Sequence, residues 1–136
     1  MALQFTPDLS TAVPEIDGQH QELFKRVNGL LAALQTGSGR EELVRTIQYL
    51  TDYVVFHFGD EEKYMVKHGY LNTKQHKAQH DLFVKTFLRL KDRLLMEGIN
   101  PTTTEDAKQL VVDWLINHIK YADKGLGLFL KRKLPA

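Results

Sequence analysis

The chain has 136 residues, no cysteine and a formal net charge of +1. This excludes disulfides, thiolate metal sites and cysteine nucleophiles, leaves no global field to recruit nucleic acid, and provides one domain's worth of buried core. No apolar run approaches the ~18 residues of a membrane span and no basic-then-apolar leader pattern opens the chain, so a cytoplasmic protein without membrane insertion is expected.

Residues 1–14, with Pro7 and Pro14, read as an extended arm. From Ile16, apolar side chains recur at helical spacing through Leu23, Val27, Leu30 and Leu34, until Gly37-Ser38-Gly39 breaks the pattern. Ser38 with Glu41 has the form of a capping box, opening a second stripe of Leu43, Ile47, Leu50 and Val54 that ends near Gly69. Asn72 with Gln75 is placed to cap a third, which carries Phe83, Phe87, Leu90 and Leu94 and stops at Gly98. Pro101 and Thr102, with Glu105, open a fourth bearing Ala107, Val111 and Trp114. Leu126 to Leu130 add a final turn or two after Gly125, and Lys131-Arg132-Lys133 reads as a solvated helix end. Helices joined by loops of a few residues lie antiparallel to their neighbours. The expectation is an all-α, up-down-up-down four-helix bundle forming a single domain, with arm 1–14, bundle about 15–124 and C-terminal segment 125–136.

Extending the stripes runs them through polar residues. His20 falls between Ile16 and Leu23; His57 and Glu61 follow Val54; His76 and His80 precede Phe83; His118 follows Trp114. Five of the six histidines therefore face one core. A buried ionisable group without a partner costs several kcal/mol, and neutral imidazoles cannot satisfy one another in a ring without a proton donor or a cation. His20 and His76/His80 stand near helix starts, His57/Glu61 and His118 near helix ends. In an antiparallel bundle those places share one level. Spacings of four put His57 with Glu61, and His76 with His80, on one face. Asp123 follows His118 by five, about 140° further round an ideal helix, so it joins them only if the helix ends or loosens there; Gly125 favours an ending. His68 stands apart beside Gly69-Tyr70 and reads as a solvent-facing C-terminal histidine.

Five imidazoles and two carboxylates without sulfur suit iron, manganese, zinc or copper. Seven ligands exceed the need of one ion. Two ions bridged by Glu61 and Asp123, with the histidines divided three and two, use them all and leave one ion with a position for a small ligand. Leu23, Phe24, Phe58, Trp114, Leu115 and Ile119 neighbour the ligands and are expected to line the ligand pocket.

The set Ile16-Asp17-Gly18-Gln19-His20, His57-Phe58-x-x-Glu61-Glu62, His76-x-x-x-His80 and Trp114-Leu115-x-x-His118-Ile119-x-x-x-Asp123 resembles the hemerythrin family, in particular its bacterial single-domain members. The resemblance implies two iron ions joined by an oxo or hydroxo bridge, and reversible binding of molecular oxygen for carriage, storage or delivery. It assigns His76, His80 and His118 to the filled iron, His20 and His57 to the other, and bridging roles to Glu61 and Asp123. Family members often carry a tryptophan in the arm, where this chain has Phe5. The alternatives are an oxygen or redox sensor module and a diiron enzyme acting on oxygen or peroxide. The Glu-x-x-His motif of ferritin-like oxidases is absent and no acid/base residue stands out, so a non-enzyme is expected.

Overall fold

A 3-10 turn at Pro7–Leu9 interrupts the arm before helix α1, Pro14–Thr36, in the computed structural model, which describes residues 2–133. Helices α2, Arg40–His68, and α3, Thr73–Glu97, follow. Next comes α4, Pro101–Lys108, whose path does not stop. It passes through a π-helical stretch, Gln109–Trp114, then α5, Leu115–Asn117, a second π-helical stretch, His118–Asp123, and α6, Lys124–Lys133. Residues at these junctions keep right-handed helical dihedrals, so the last four elements and α4 form one rod.

Glycines in the left-handed region end the first two helices, Gly37 at φ 66° and Gly69 at φ 69°. Closure of α1 also explains why Ser38 does not cap α2 as the sequence pattern suggests. The Ser38 N–H donates to the Ala33 carbonyl at 3.0 Å, committing that residue to the end of α1, and Gly39 is the N-cap of α2 without a side-chain bond. Asn72 does occupy the N-cap of α3, but its side chain makes no cap; the Thr73 hydroxyl instead donates to the Tyr70 carbonyl at 2.6 Å. Among the described residues a full capping box is seen at α4. There Asn100 Oδ1 accepts from the Thr103 N–H at 2.9 Å, and the Asn100 N–H donates to Thr103 Oγ1 at 3.0 Å, with Pro101 at the first helical position.

Cross-helix contacts run in opposite residue order, which fixes the antiparallel arrangement. Gln19 meets Asp60 and Arg26 meets the Tyr49 carbonyl; Arg40 meets the Leu95 carbonyl while Glu62 meets His80; Arg93 meets Asp106 while Gln79 meets His118. Two apolar clusters result. The larger includes Leu23, Leu30, Ile47, Leu50, Phe83, Phe87 and Val111; the smaller comprises Val13, Ile16, Met65, Leu126 and Leu130 at one end. On α1 the inward His20 falls between Ile16 of the smaller cluster and Leu23 of the larger; on α2 and the last rod Glu61 and Asp123 fall between Phe58 and Met65 and between Ile119 and Leu126.

The C-terminal segment departs from expectation: Gly125 does not end the helix, and α6 is part of the rod. Its Gly127 abuts Thr11 of the arm. The arm is tethered by Asp17, whose carboxylate accepts from Ser10 Oγ at 2.6 Å, the Thr11 N–H at 2.7 Å and Thr11 Oγ1 at 2.8 Å. Arm and α6 together close the end of the bundle next to the polar level. Among the described residues no helix is long and apolar enough to cross a membrane.

Candidate metal centre

All seven inward polar residues meet at one level, and all are buried: His20, His57, Glu61, His76, His80, His118 and Asp123 are each at most 4% exposed. His20 comes from α1, His57 and Glu61 from α2, His76 and His80 from α3, and His118 and Asp123 from the second π-helical stretch. That stretch resolves the awkward spacing of five. Hydrogen bonding i→i+5 widens the turn so that residues five apart stack on one face. His118 Nε2 lies 3.2 Å from Asp123 Oδ1. The helix loosens, as one of the two routes required, and does not end.

The oxygens divide the cluster. Glu61 Oε1 faces His76 Nε2 at 3.3 Å and His80 Nε2 at 3.2 Å, while Glu61 Oε2 faces His57 Nε2 at 3.0 Å and His20 Nε2 at 3.4 Å. Asp123 repeats the pattern: Oδ1 lies 3.0 Å from His76 Nε2 and 3.2 Å from His118 Nε2, and Oδ2 lies 3.0 Å from His20 Nε2. Each carboxylate thus turns one oxygen to a group of three histidines and the other to a group of two. Two sets of donor atoms can each hold a metal ion: Glu61, His76, His80, His118 and Asp123 form one, and His20, His57, Glu61 and Asp123 the other.

Hydrogen bonding alone leaves this cluster unsatisfied. His20 Nδ1 and Nε2, both Glu61 oxygens and Asp123 Oδ2 are buried without an aligned hydrogen bond. His80 Nε2 and His118 Nε2 face each other at 3.1 Å. Their Nδ1 atoms face oxygens, Glu62 Oε2 at 2.9 Å and Gln79 Oε1 at 2.8 Å, so each Nδ1–H donates outward and each Nε2 is left to point inward. Two such nitrogens pointed at one spot, with carboxylate oxygens beside them, fit a cation.

In the metal-free protein protons take up part of this demand. Burial disfavours charge on His20 and His76, but the facing carboxylates of Asp123 and Glu61 outweigh it and raise both to about 9. Glu61 is held well below the ordinary carboxylate value: burial pushes it up, and the His57 charge with bonds from His20, His57 and His76 more than reverses that. Asp123 is lowered likewise, against burial and the neighbouring Glu61, chiefly by His118.

Aromatic and aliphatic residues pack around the cluster. The Phe58 ring lies flat on His80, with centroids 3.8 Å apart and planes 2° apart, and Trp114 stacks on His118 at 4.8 Å and 9°. Leu23, Phe24, Leu115 and Ile119 are buried, whereas Trp114 is half-buried. Phe5 reaches back from the arm to Phe24, 6.2 Å between centroids, so the arm does touch this region. His68 lies outside the cluster, half-buried rather than solvent-facing, with its ring parallel to Tyr64.

Pattern reading assigned no role to the outward partners of the histidines. Gln19 Oε1 lies 2.7 Å from His57 Nδ1 while its amide donates to Asp60 Oδ2 at 2.8 Å; Glu62 and Gln79 serve His80 and His118. They stand beside ligands in sequence (Gln19–His20, Glu61–Glu62, Gln79–His80) but serve a ligand of the adjacent helix. Projecting each helix flank towards its neighbour is the signal that finds them.

The sequence matches the model of the hemerythrin HHE cation binding domain over residues 11–128. It is 37% identical over 120 residues to a bacteriohemerythrin of Methylococcus capsulatus, covering 88% of this chain and 89% of the relative. It is 36% identical over 110 residues to a hemerythrin-like protein of Naegleria gruberi, covering 80% and 77%. Among solved structures, a wild-type hemerythrin crystal structure superposes with a TM-score of 0.81 at 36% identity, over 94% of this chain and 97% of the other.

Proposed function

The chain is a member of the hemerythrin family, and from that premise we propose that its buried cluster holds two iron ions and that it binds molecular oxygen reversibly, as a cytoplasmic carrier or store. The observation that carries the reading is the division of carboxylate oxygens. Glu61 Oε1 faces His76 and His80 and Asp123 Oδ1 faces His76 and His118, while Glu61 Oε2 faces His57 and His20 and Asp123 Oδ2 faces His20. Glu61 and Asp123 would hold both ions, with His76, His80 and His118 as further ligands to one and His20 and His57 to the other. The donor set, nitrogen and oxygen without sulfur, suits iron, and the family relation favours iron over manganese, zinc and copper.

When bound, such a pair supplies two one-electron couples and, on the ion with two histidines, a position where a small ligand enters. The chain's own residues supply the rest. Gln19, Glu62 and Gln79 accept from Nδ1–H and so fix which nitrogen of His57, His80 and His118 faces inward. Leu23, Phe24, Phe58, Leu115 and Ile119 exclude water from the ligand side, and Trp114 covers the outer face of His118. Low polarity there holds back protons, and protonation is what would convert reversible binding into irreversible oxidation of the metal with loss of peroxide. This favours carriage over turnover.

The test is to reduce the iron-loaded protein without air, admit oxygen, then remove it while recording the visible spectrum. A charge-transfer band that rises with oxygen and falls on its removal supports the reading. Prompt conversion to a stable diferric form with free peroxide refutes it and favours oxygen or peroxide turnover or sensing.

A further inference from the structure

The Nδ1 atoms on the far side of the cluster are not treated alike. His57 and His118 each meet the amide oxygen of a glutamine, Gln19 at 2.7 Å and Gln79 at 2.8 Å. His20 Nδ1 has no partner. His80 alone among these four meets a carboxylate, Glu62 Oε2 at 2.9 Å. Lys77 Nζ, hydrogen-bonded to Asp81 at 3.2 Å, lies 3.8 Å from Oε1 of that carboxylate, while Oε2 takes the imidazole. Its side chain is 23% exposed, and the flat Phe58 ring closes one face of the His80 imidazole.

A neutral amide and a carboxylate both accept an N–H, but they act differently on the ring. A charge-assisted bond is roughly twice as strong as a neutral one. It draws the Nδ1 proton outward and leaves more electron density on Nε2, raising the basicity of the ligand. A more basic ligand favours the more highly charged ion. Of the two groups of donors, the three-histidine group contains His80, whereas the two-histidine group has one amide partner and one free Nδ1.

We propose that Glu62 is a positioning residue that lowers the reduction potential of the three-histidine ion through His80, an asymmetry between the two ions that rests on the diiron reading above and deepens it. The stacked Phe58 keeps the ring in the plane this coupling needs, and Lys77 places a positive charge 3.8 Å from the far oxygen of the carboxylate.

The test is spectroelectrochemical titration of the iron-loaded protein beside two variants, Glu62→Gln, which keeps an acceptor and removes the charge, and Gln79→Glu, which gives His118 the partner His80 has. Each variant is loaded under excess iron and its iron content measured before titration. At a fixed potential the ratio of ferrous to ferric protein should rise roughly tenfold in Glu62→Gln and fall by a similar factor in Gln79→Glu. A purely structural role for Glu62 would leave that ratio unmoved. If both variants load iron and titrate with the parent, the proposal is wrong. Should Glu62→Gln not fold, Gln79→Glu decides alone: a ratio shifted towards ferric supports the coupling, and an unshifted one overturns it. If the parent itself takes up no pair of irons, the diiron reading fails, an outcome visible before any variant is compared.

Discussion

Gly127→Ala tests whether the arm and α6 are locked together at the end of the bundle. A Cβ at position 127 would stand 2.8 Å from Thr11 Cβ and 2.9 Å from Thr11 C, and closer still to the Thr11 carbonyl oxygen. Backbone is in the way, so relief requires the arm to move. Thr11 is 2% exposed and bound twice to Asp17, and Ala12 already sits at φ 67°, which leaves little slack. Overpacking of this kind costs about 1–3 kcal/mol, against about 1 kcal/mol gained by replacing glycine with alanine inside a helix. The net loss is about 0–2 kcal/mol, or a Tm lower by up to roughly 8 °C for a chain of this size. Gly29→Ala is the control: it lies within α1 with nothing within 4 Å of its Cβ, so only the propensity gain of about 1 kcal/mol applies. Urea unfolding of the metal-free proteins measures both. Opposite signs are expected, and a Gly127→Ala protein as stable as Gly29→Ala would refute the locked closure.

His118→Ala removes a donor of the three-histidine group and the surface on which Trp114 stacks. Iron bound per chain should fall below two on reconstitution, and two full equivalents with the parent spectrum would remove His118 from the ligand set. The metal-free protein should also respond to pH. His20 and His76 are raised from 6.5 to about 9 by their carboxylate partners, so the stability they add is complete below 6.5 and is lost as pH climbs through about 9. The urea midpoint should fall across that interval. Metal uptake should run the other way, because an ion replaces the protons on these nitrogens, and competition against a chelator of known affinity should show tighter binding at pH 9 than at 6.5. Unchanged affinity would mean that the ion does not displace those protons.

The bundle and the level of the site were legible because both follow from period and polarity. Inward residues recur with the turn of a helix, and short loops reverse direction, so His20, His57, His76 and His118 had to converge. What the pattern could not carry was local. Whether five residues between His118 and Asp123 close one turn depends on the hydrogen-bond register of the backbone, which side-chain periodicity does not report. Gly125 is a weak stop once flanking residues pack, and Leu126 and Leu130, fully buried against Val13 and Ile16, carry the helix through it. Ser38 had the right spacing for a cap, but the closure of α1 took its amide first. The outward partners Gln19, Glu62 and Gln79 reach across to neighbouring helices, so helix azimuth, and not spacing along one helix, identifies them.

Two turns of different pitch carry the carboxylates, and they do not by themselves divide the histidines unevenly. Helix α2 joins His57 to Glu61 across four residues, an α-helical turn, using the longer carboxylate side chain. The last helix joins His118 to Asp123 across five, a π turn, using the shorter one. Each pairing brings a carboxylate back to its own histidine, but to opposite sides of the centre. Glu61 meets His57 through the oxygen that faces the two-histidine group, and Asp123 meets His118 through the oxygen that faces the three-histidine group. Had α1 and α3 each added one histidine, the centre would be symmetric. Helix α3 adds two, His76 and His80, to the side His118 already occupies, and α1 adds only His20 to the other. The unequal number of histidines in the two donor groups is therefore set by which helix carries a pair, while the π turn lets the short carboxylate of Asp123 span the two sides at all.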